Sequence, residues 1–226
     1  MNWQKEKFYD FIIENNVIGF FKEPLKLKSG RLSYWYVNWR NVAEDVYLID
    51  KLSNFLISFV KELNLNPDCF YGVPEGATKL GIITQYKWAK GQLNYKMGAY
   101  SLSMGRAKPK DHGDPKDKYF LGNLKGNVII IEDVTTTGGS LLETIKFLSE
   151  IDIKIIAAIG LTNRNEIRDD NKSVEEIIEE NDIKYYAMSN AIDLLPIAFK
   201  KLKPGRKISE QIEEYFKKYG IKEIKL

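Results

Sequence analysis

The chain has 226 residues, enough for one large α/β domain with a sizeable core, and its 34 basic and 31 acidic residues give a net charge of +3. With 29% charged and 44% hydrophobic residues, and with lysines and acids interspersed, this is an ordinary soluble composition without the basic tract that a nucleic-acid partner would need. The single cysteine, Cys69, excludes an intrachain disulfide; no apolar run is long enough to cross a bilayer, and Met1-Asn-Trp-Gln-Lys lacks a secretory core, so one cytoplasmic domain over residues 1–226 is expected.

Phe8, Phe11 and Ile12 have helical spacing, Lys28-Ser-Gly-Arg31 reads as a turn, and Tyr34 to Val37 reads as a strand. A longer helical stripe follows in Leu48, Leu52, Phe55, Leu56, Phe59, Val60 and Leu63, broken by Asn66-Pro67. Cys69 to Val73 then reads as a strand with Pro74-Glu-Gly76 as its turn, and Leu80, Ile82, Ile83 and Tyr86 as the next helix. Further strands are expected near Ala99 to Ser103, Val128 to Ile131, Ile155 to Leu161 and Lys184 to Met188, with a helix on Leu141, Leu142, Ile145 and Leu148 between them. This alternation predicts an α/β fold with a mainly parallel central sheet flanked by helices. The segment with Ile208, Ile212, Tyr215 and Phe216 reads as a terminal packing helix.

The chemistry concentrates in Val128-Ile-Ile-Ile-Glu-Asp-Val-Thr-Thr-Thr-Gly-Gly-Ser140. Four β-branched residues favour a strand buried on both faces, and the carboxyl ends of parallel strands are where open α/β sheets bind ligands. Glu132 and Asp133 are expected where the strand leaves the core, followed by hydroxyls and glycines whose backbone N–H groups can close round an anion at a helix N-terminus. Acids beside a phosphate cradle fit a ligand that also carries hydroxyls or a metal, such as a phosphorylated sugar. The structural alternative is a Gly-Gly turn with Ser140 as the helix N-cap and the acids solvated. Neither a Gly-x-x-x-x-Gly-Lys-Ser/Thr loop nor a Gly-x-Gly-x-x-Gly after a strand is present.

This stretch resembles the phosphoribosyl pyrophosphate (PRPP) motif of the type I phosphoribosyltransferases. Three further segments resemble the orotate phosphoribosyltransferase branch: Leu27-Lys-Ser-Gly-Arg31 with Ser33-Tyr-Trp-Tyr-Val-Asn38, the breaker-rich run from Gly105 to Lys118 with Arg106 and Lys110-Asp-His-Gly113, and Ile159-Gly-Leu-Thr-Asn-Arg-Asn-Glu166. Gly72 to Gly81 is similar to the family's second sugar-phosphate loop, but Gly76 stands where many relatives carry lysine; Ala107 departs in the same way, and Glu132 stands where aspartate is common. Lys79 is set aside, because three helical residues can aim its amine elsewhere.

The resemblance implies a hood formed by about residues 1–45 and a mobile catalytic loop over about 104–118 that reaches the neighbouring subunit of a homodimer. It implies PRPP and orotate as substrates, Mg2+ held mainly through PRPP with no direct protein ligand, and neither nucleic acid nor membrane as partner. PRPP contacts fall on Lys28, Arg106, Lys110, His112, Glu132, Asp133 and the loop Val134, Thr135, Thr136, Thr137, Gly138, Gly139 and Ser140. Of these, Lys110, His112 and Asp133 are the expected catalytic residues, with the lid cations on the leaving pyrophosphate. Orotate contacts fall on Tyr36, Val37, Thr136 and Arg164. A guanidinium can form two parallel hydrogen bonds with the orotate carboxylate, an anion that uracil, adenine and guanine lack; in isolation Arg164 would read as an exposed loop arginine. The implied reaction yields orotidine 5′-monophosphate, and the alternatives are transfer to another base or a non-catalytic PRPP-sensing regulator.

Overall fold

A computed structural model describes residues 2–106, 120–151 and 153–226. Lys110, His112, Ala107 and most of the expected lid lie outside the described residues. The chain begins with helix α1 (Lys5–Glu14), which buries Phe8, Phe11 and Ile12 at the expected spacing. An antiparallel hairpin follows, β1 (Ile18–Lys26) and β2 (Leu32–Val37), whose turn holds Lys28 to Arg31 with Gly30 at φ +82. The one-turn α2 (Arg40–Ala43) leads into α3 (Val46–Glu62), which starts where Asp45 accepts a hydrogen bond from the Leu48 amide at 2.8 Å.

The central sheet is built from β3 (Cys69–Gly72), β6 (Asn127–Thr135), β7 (Lys154–Asn163) and β8 (Tyr185–Asn190), all parallel and in the order β3-β6-β7-β8. Between β3 and β6 come α4 (Thr78–Lys90) and the two-residue strands β4 (Met104–Gly105) and β5 (Phe120–Leu121). The remaining helices are α5 (Gly139–Glu150), α6 (Val174–Glu179), α7 (Ala191–Leu202) and α8 (Arg206–Tyr219).

Strand β6 explains the layering. Val128 and Ile130 point into a cluster with Leu141, Ile145, Leu148, Val174 and Ile178, whereas Ile129 and Ile131 point into the opposite cluster with Phe8, Leu56, Phe70 and Leu195. The alternation places helices on both faces of a fully buried strand.

Two expectations need correction. No strand forms over Ala99 to Ser103: Gly98 turns the chain at φ +76, and the Ser101 carbonyl is satisfied by the Gln85 side-chain amide at 2.7 Å rather than by a neighbouring strand. Pairing starts later, as the antiparallel β4–β5 ladder outside the central sheet. Strand β6 also runs past Ile131, because Glu132, Val134 and Thr135 continue in register with Gly160, Thr162 and Asn163 of β7. The acids are therefore strand residues at its cavity end, and the loop begins only after Thr135.

Candidate active site

At the carboxyl end of β6 a cavity of about 430 Å³ opens between the hairpin turn, the start of α4 and the N-terminus of α5. Helix α5 begins after Gly138, whose φ of +72 disfavours other residues, and no side chain caps its first amides. Those N–H groups and the helix dipole face the cavity with Thr136, Thr137, Gly138, Gly139 and Ser140. Ser140 is thus not the N-cap; it lies in the first turn and its hydroxyl accepts from Lys28 Nζ at 2.9 Å. This contact joins residues 112 apart in sequence and brings the hairpin cation to the anion cradle. Arg168, which sequence reasoning missed, steadies the loop by donating to the Thr137 carbonyl.

The two acids have distinct surroundings. Glu132 is 7% exposed, and burial, reinforced by Asp133 and opposed by Lys28, pushes its carboxyl up to about 9. Asp133 is half-buried; its Oδ1 accepts from the Val134 amide at 2.9 Å. Its carboxylate rests on Gly76: a Cβ built there would lie 2.3 Å from Asp133 Oδ2 and 2.5 Å from its Cγ. This is the local reason glycine suits position 76, since any side chain would displace the Asp133 carboxylate.

Glu132, Asp133 and Val134 line the cavity with Lys28, Tyr36, Val37 and Arg164. Thr135 does not: its hydroxyl pairs with the Tyr185 hydroxyl at 2.5 Å in the protein interior, while its carbonyl accepts from the Arg164 amide at 2.9 Å. Of the expected hydroxyls, only those of Thr136, Thr137 and Ser140 border the cavity. Arg106 is described but lies outside the cavity wall. Lys79 donates to the Ala43 carbonyl at 3.0 Å, consistent with its being set aside.

Arg164 is not an exposed loop arginine, because only 1% of it is accessible. Its Nε donates to Glu166 at 2.7 Å, its Nη2 to Ser33 at 3.0 Å, and its Cζ lies 3.7 Å from the Trp35 ring centroid. Sequence reasoning missed Leu27, Ser29, Asn38, Arg40, Pro74 and Gly76 as wall residues. Arg40 alone carried a readable signal, a cation directly after the aromatic strand. Asn38 holds the start of α2 by accepting from the Arg40 amide at 3.2 Å.

The arrangement suits a ligand with a phosphate at one end, hydroxyls in the middle and a planar anionic group at the other. Glu132 and Asp133 are the acids in its wall, and among the described residues no group of three or more His, Cys, Asp or Glu is placed to hold a metal ion. A hard cation fits this donor set only if the ligand's own oxygens and water supply most of its shell. No described helix is long and apolar enough to cross a membrane.

No family model matches the chain. It is 30% identical to the orotate phosphoribosyltransferase of Clostridium acetobutylicum, over 98% of this chain and 100% of that protein. It is also 30% identical to the orotate phosphoribosyltransferase of Methanosphaera stadtmanae, over 80% of this chain and 90% of that one. Among solved structures, the orotate phosphoribosyltransferase of Francisella tularensis superposes with a TM-score of 0.67 at 22% identity, covering 94% of this chain and 95% of its own.

Proposed function

The chain belongs to the orotate phosphoribosyltransferase family, and on that premise we propose how its cavity transfers the phosphoribosyl group of PRPP to orotate. The products are orotidine 5′-monophosphate and pyrophosphate, a step of pyrimidine biosynthesis. Orotate N1 attacks the anomeric carbon as the bond to pyrophosphate breaks. The transition state is oxocarbenium-like, so the protein's work is alignment and charge neutralisation rather than covalent catalysis.

The 5′-phosphate takes the uncapped start of α5 with the Thr136, Thr137 and Ser140 hydroxyls, and the ribose hydroxyls take Glu132 and Asp133. Lys28 bridges the hairpin and the phosphate cradle. The base lies between Tyr36 and the end of β7, with its carboxylate on Arg164. Lys110 and His112 are assigned to the departing pyrophosphate from the sequence, together with Arg106, which lies at the root of that segment. Mg2+, held mainly through PRPP oxygens and water with no direct protein ligand, would neutralise diphosphate charge. The assembly is a cytoplasmic homodimer in which each lid serves its neighbour.

The observation that carries this reading is the convergence of an anion cradle, two acids and a buried cavity-facing arginine in one wall, drawn from segments far apart in sequence. The test is pyrophosphate release from PRPP and Mg2+ with orotate, uracil, adenine or guanine. Turnover is expected with orotate, and turnover with another base but none with orotate overturns the reading. Sedimentation of the full chain checks the dimer, and loss of turnover in chelator with recovery on Mg2+ checks the metal.

A further inference from the structure

Behind the Arg164 guanidinium stands a carboxylate that the reaction itself does not use. Glu166 is 1% exposed and gives one oxygen to each of two arginines: Oε1 to Arg164 Nε at 2.7 Å and Oε2 to Arg31 Nη1 at 2.9 Å. Arg31 comes from the hairpin and is anchored through Nη2 to the Ile167 carbonyl at 2.7 Å. Its further contact, to Asp169 at 3.4 Å, is to a fully exposed carboxylate and is screened by water. Two guanidiniums thus share one buried carboxylate in a site walled by Trp35, Phe216 and the Tyr219 ring, which lies 4.6 Å from Arg31 Cζ.

The hydrogen-bond count points the same way. Of the five N–H groups of Arg164, Nε is committed to Glu166 and one on Nη2 to Ser33, while Nη1 makes no hydrogen bond among the described residues, the Tyr215 hydroxyl standing near the guanidinium. Since Arg164 borders the cavity, an anionic ligand there would supply a further acceptor and a counter-charge.

We propose that Glu166 is a positioning residue for base recognition: by clamping Arg164 Nε, with Ser33 on Nη2 and Trp35 beneath, it presents the free Nη1 end to the carboxylate of the incoming base. This rests on the reading of orotate as acceptor. An arginine has four rotatable side-chain bonds, and a fork-shaped contact rewards it only when the plane is fixed beforehand. The role therefore belongs to the base step and not to PRPP.

The experiment is steady-state kinetics on the full chain with PRPP and Mg2+, using Glu166→Gln, which preserves shape but not charge, and Ser33→Ala, which leaves both ion pairs of Glu166 in place. Thermal melts accompany both. Glu166→Gln is expected to raise the orotate KM about tenfold or more, the loss of one misdirected charge-assisted hydrogen bond, with kcat and the PRPP KM changed by less than about threefold. Ser33→Ala should raise the orotate KM about threefold to tenfold, as expected for one hydrogen bond. A folded Glu166→Gln protein with an unchanged orotate KM, or with equal losses for both substrates, overturns the proposal. If that variant does not fold, an unchanged orotate KM in Ser33→Ala overturns it. Absence of orotate turnover in the unmutated protein would instead overturn the functional reading, which keeps the two failures distinct.

Discussion

Adding one methyl group at Gly76 tests the sugar-binding role of Asp133 without touching Asp133 itself. The new Cβ would lie 2.3 Å from Oδ2 and 2.7 Å from Oδ1, whereas real Cβ contacts stay beyond 3.0 Å, so the carboxylate must swing away and give up its bond to the Val134 amide. The backbone at Gly76 is not left-handed, so alanine is not strained there, and it lowers unfolded-state entropy, a change worth about 0.4–1 kcal/mol in favour of the fold. Against that gain stands the charged hydrogen bond that the Val134 amide loses, about 1.5–3 kcal/mol. If Asp133 holds a ribose hydroxyl, the loss of a charged hydrogen bond, about 1.5–3 kcal/mol, lowers kcat/KM for PRPP roughly 10- to 150-fold. The assay is pyrophosphate release with PRPP varied at saturating orotate, beside a thermal melt expected to fall only modestly. In an Asp133→Ala background the Gly76→Ala change should add almost nothing. Unchanged kcat/KM in the single variant, or fully additive losses in the double, refutes the reasoning.

Removing the Arg164 fork by Arg164→Ala is expected to weaken orotate binding at least about tenfold more than PRPP binding; equal losses by calorimetry would sink the base-specific role. Lys110→Ala is expected to lower kcat by roughly 10- to 100-fold through lost charge stabilisation of pyrophosphate, and an unaltered rate at saturating substrates would remove it from the mechanism. The raised Glu132 carboxyl has a thermodynamic signature in the ligand-free protein. The native state keeps a proton that the unfolded chain releases near its ordinary value of 4.5, so this group's stabilisation is complete below 4.5 and is lost as pH rises toward about 9. Urea unfolding at pH 6 and pH 8.5 should show that decline, and Glu132→Gln should flatten it; identical pH dependence in both proteins would contradict a buried neutral carboxyl.

Much of the fold was legible because its signals are local. The four β-branched residues from Val128 mark a doubly buried strand, and helical spacing marks α1, α3, α5 and α8. Errors arose where a distant partner decides. The strand was read as ending at Ile131, yet β7 keeps Glu132, Val134 and Thr135 in register. Around Ala99 to Ser103 the apolar content suggested a strand, but Gln85 from α4 took the Ser101 carbonyl. The cavity was recognisable from its loop and from Lys28, whereas the inward turn of the Thr135 hydroxyl depends on Tyr185, 50 residues away. The Arg31–Glu166 pair spans 135 residues and has no periodic trace at all.

Strands β1 and β2 pair with each other and with no strand of the central sheet among the described residues. The hairpin is therefore its own hydrogen-bonded unit, fastened by Lys28 to Ser140, Arg31 to Glu166, Trp39 to Thr162 and the stacking of Trp35 on Phe216. Ile18, Trp35 and Val37 also bury it in the main core, so its hold on the sheet rests on side chains rather than on a backbone ladder. Substitutions among these side chains can therefore shift the hairpin against the sheet without breaking a backbone hydrogen bond of either.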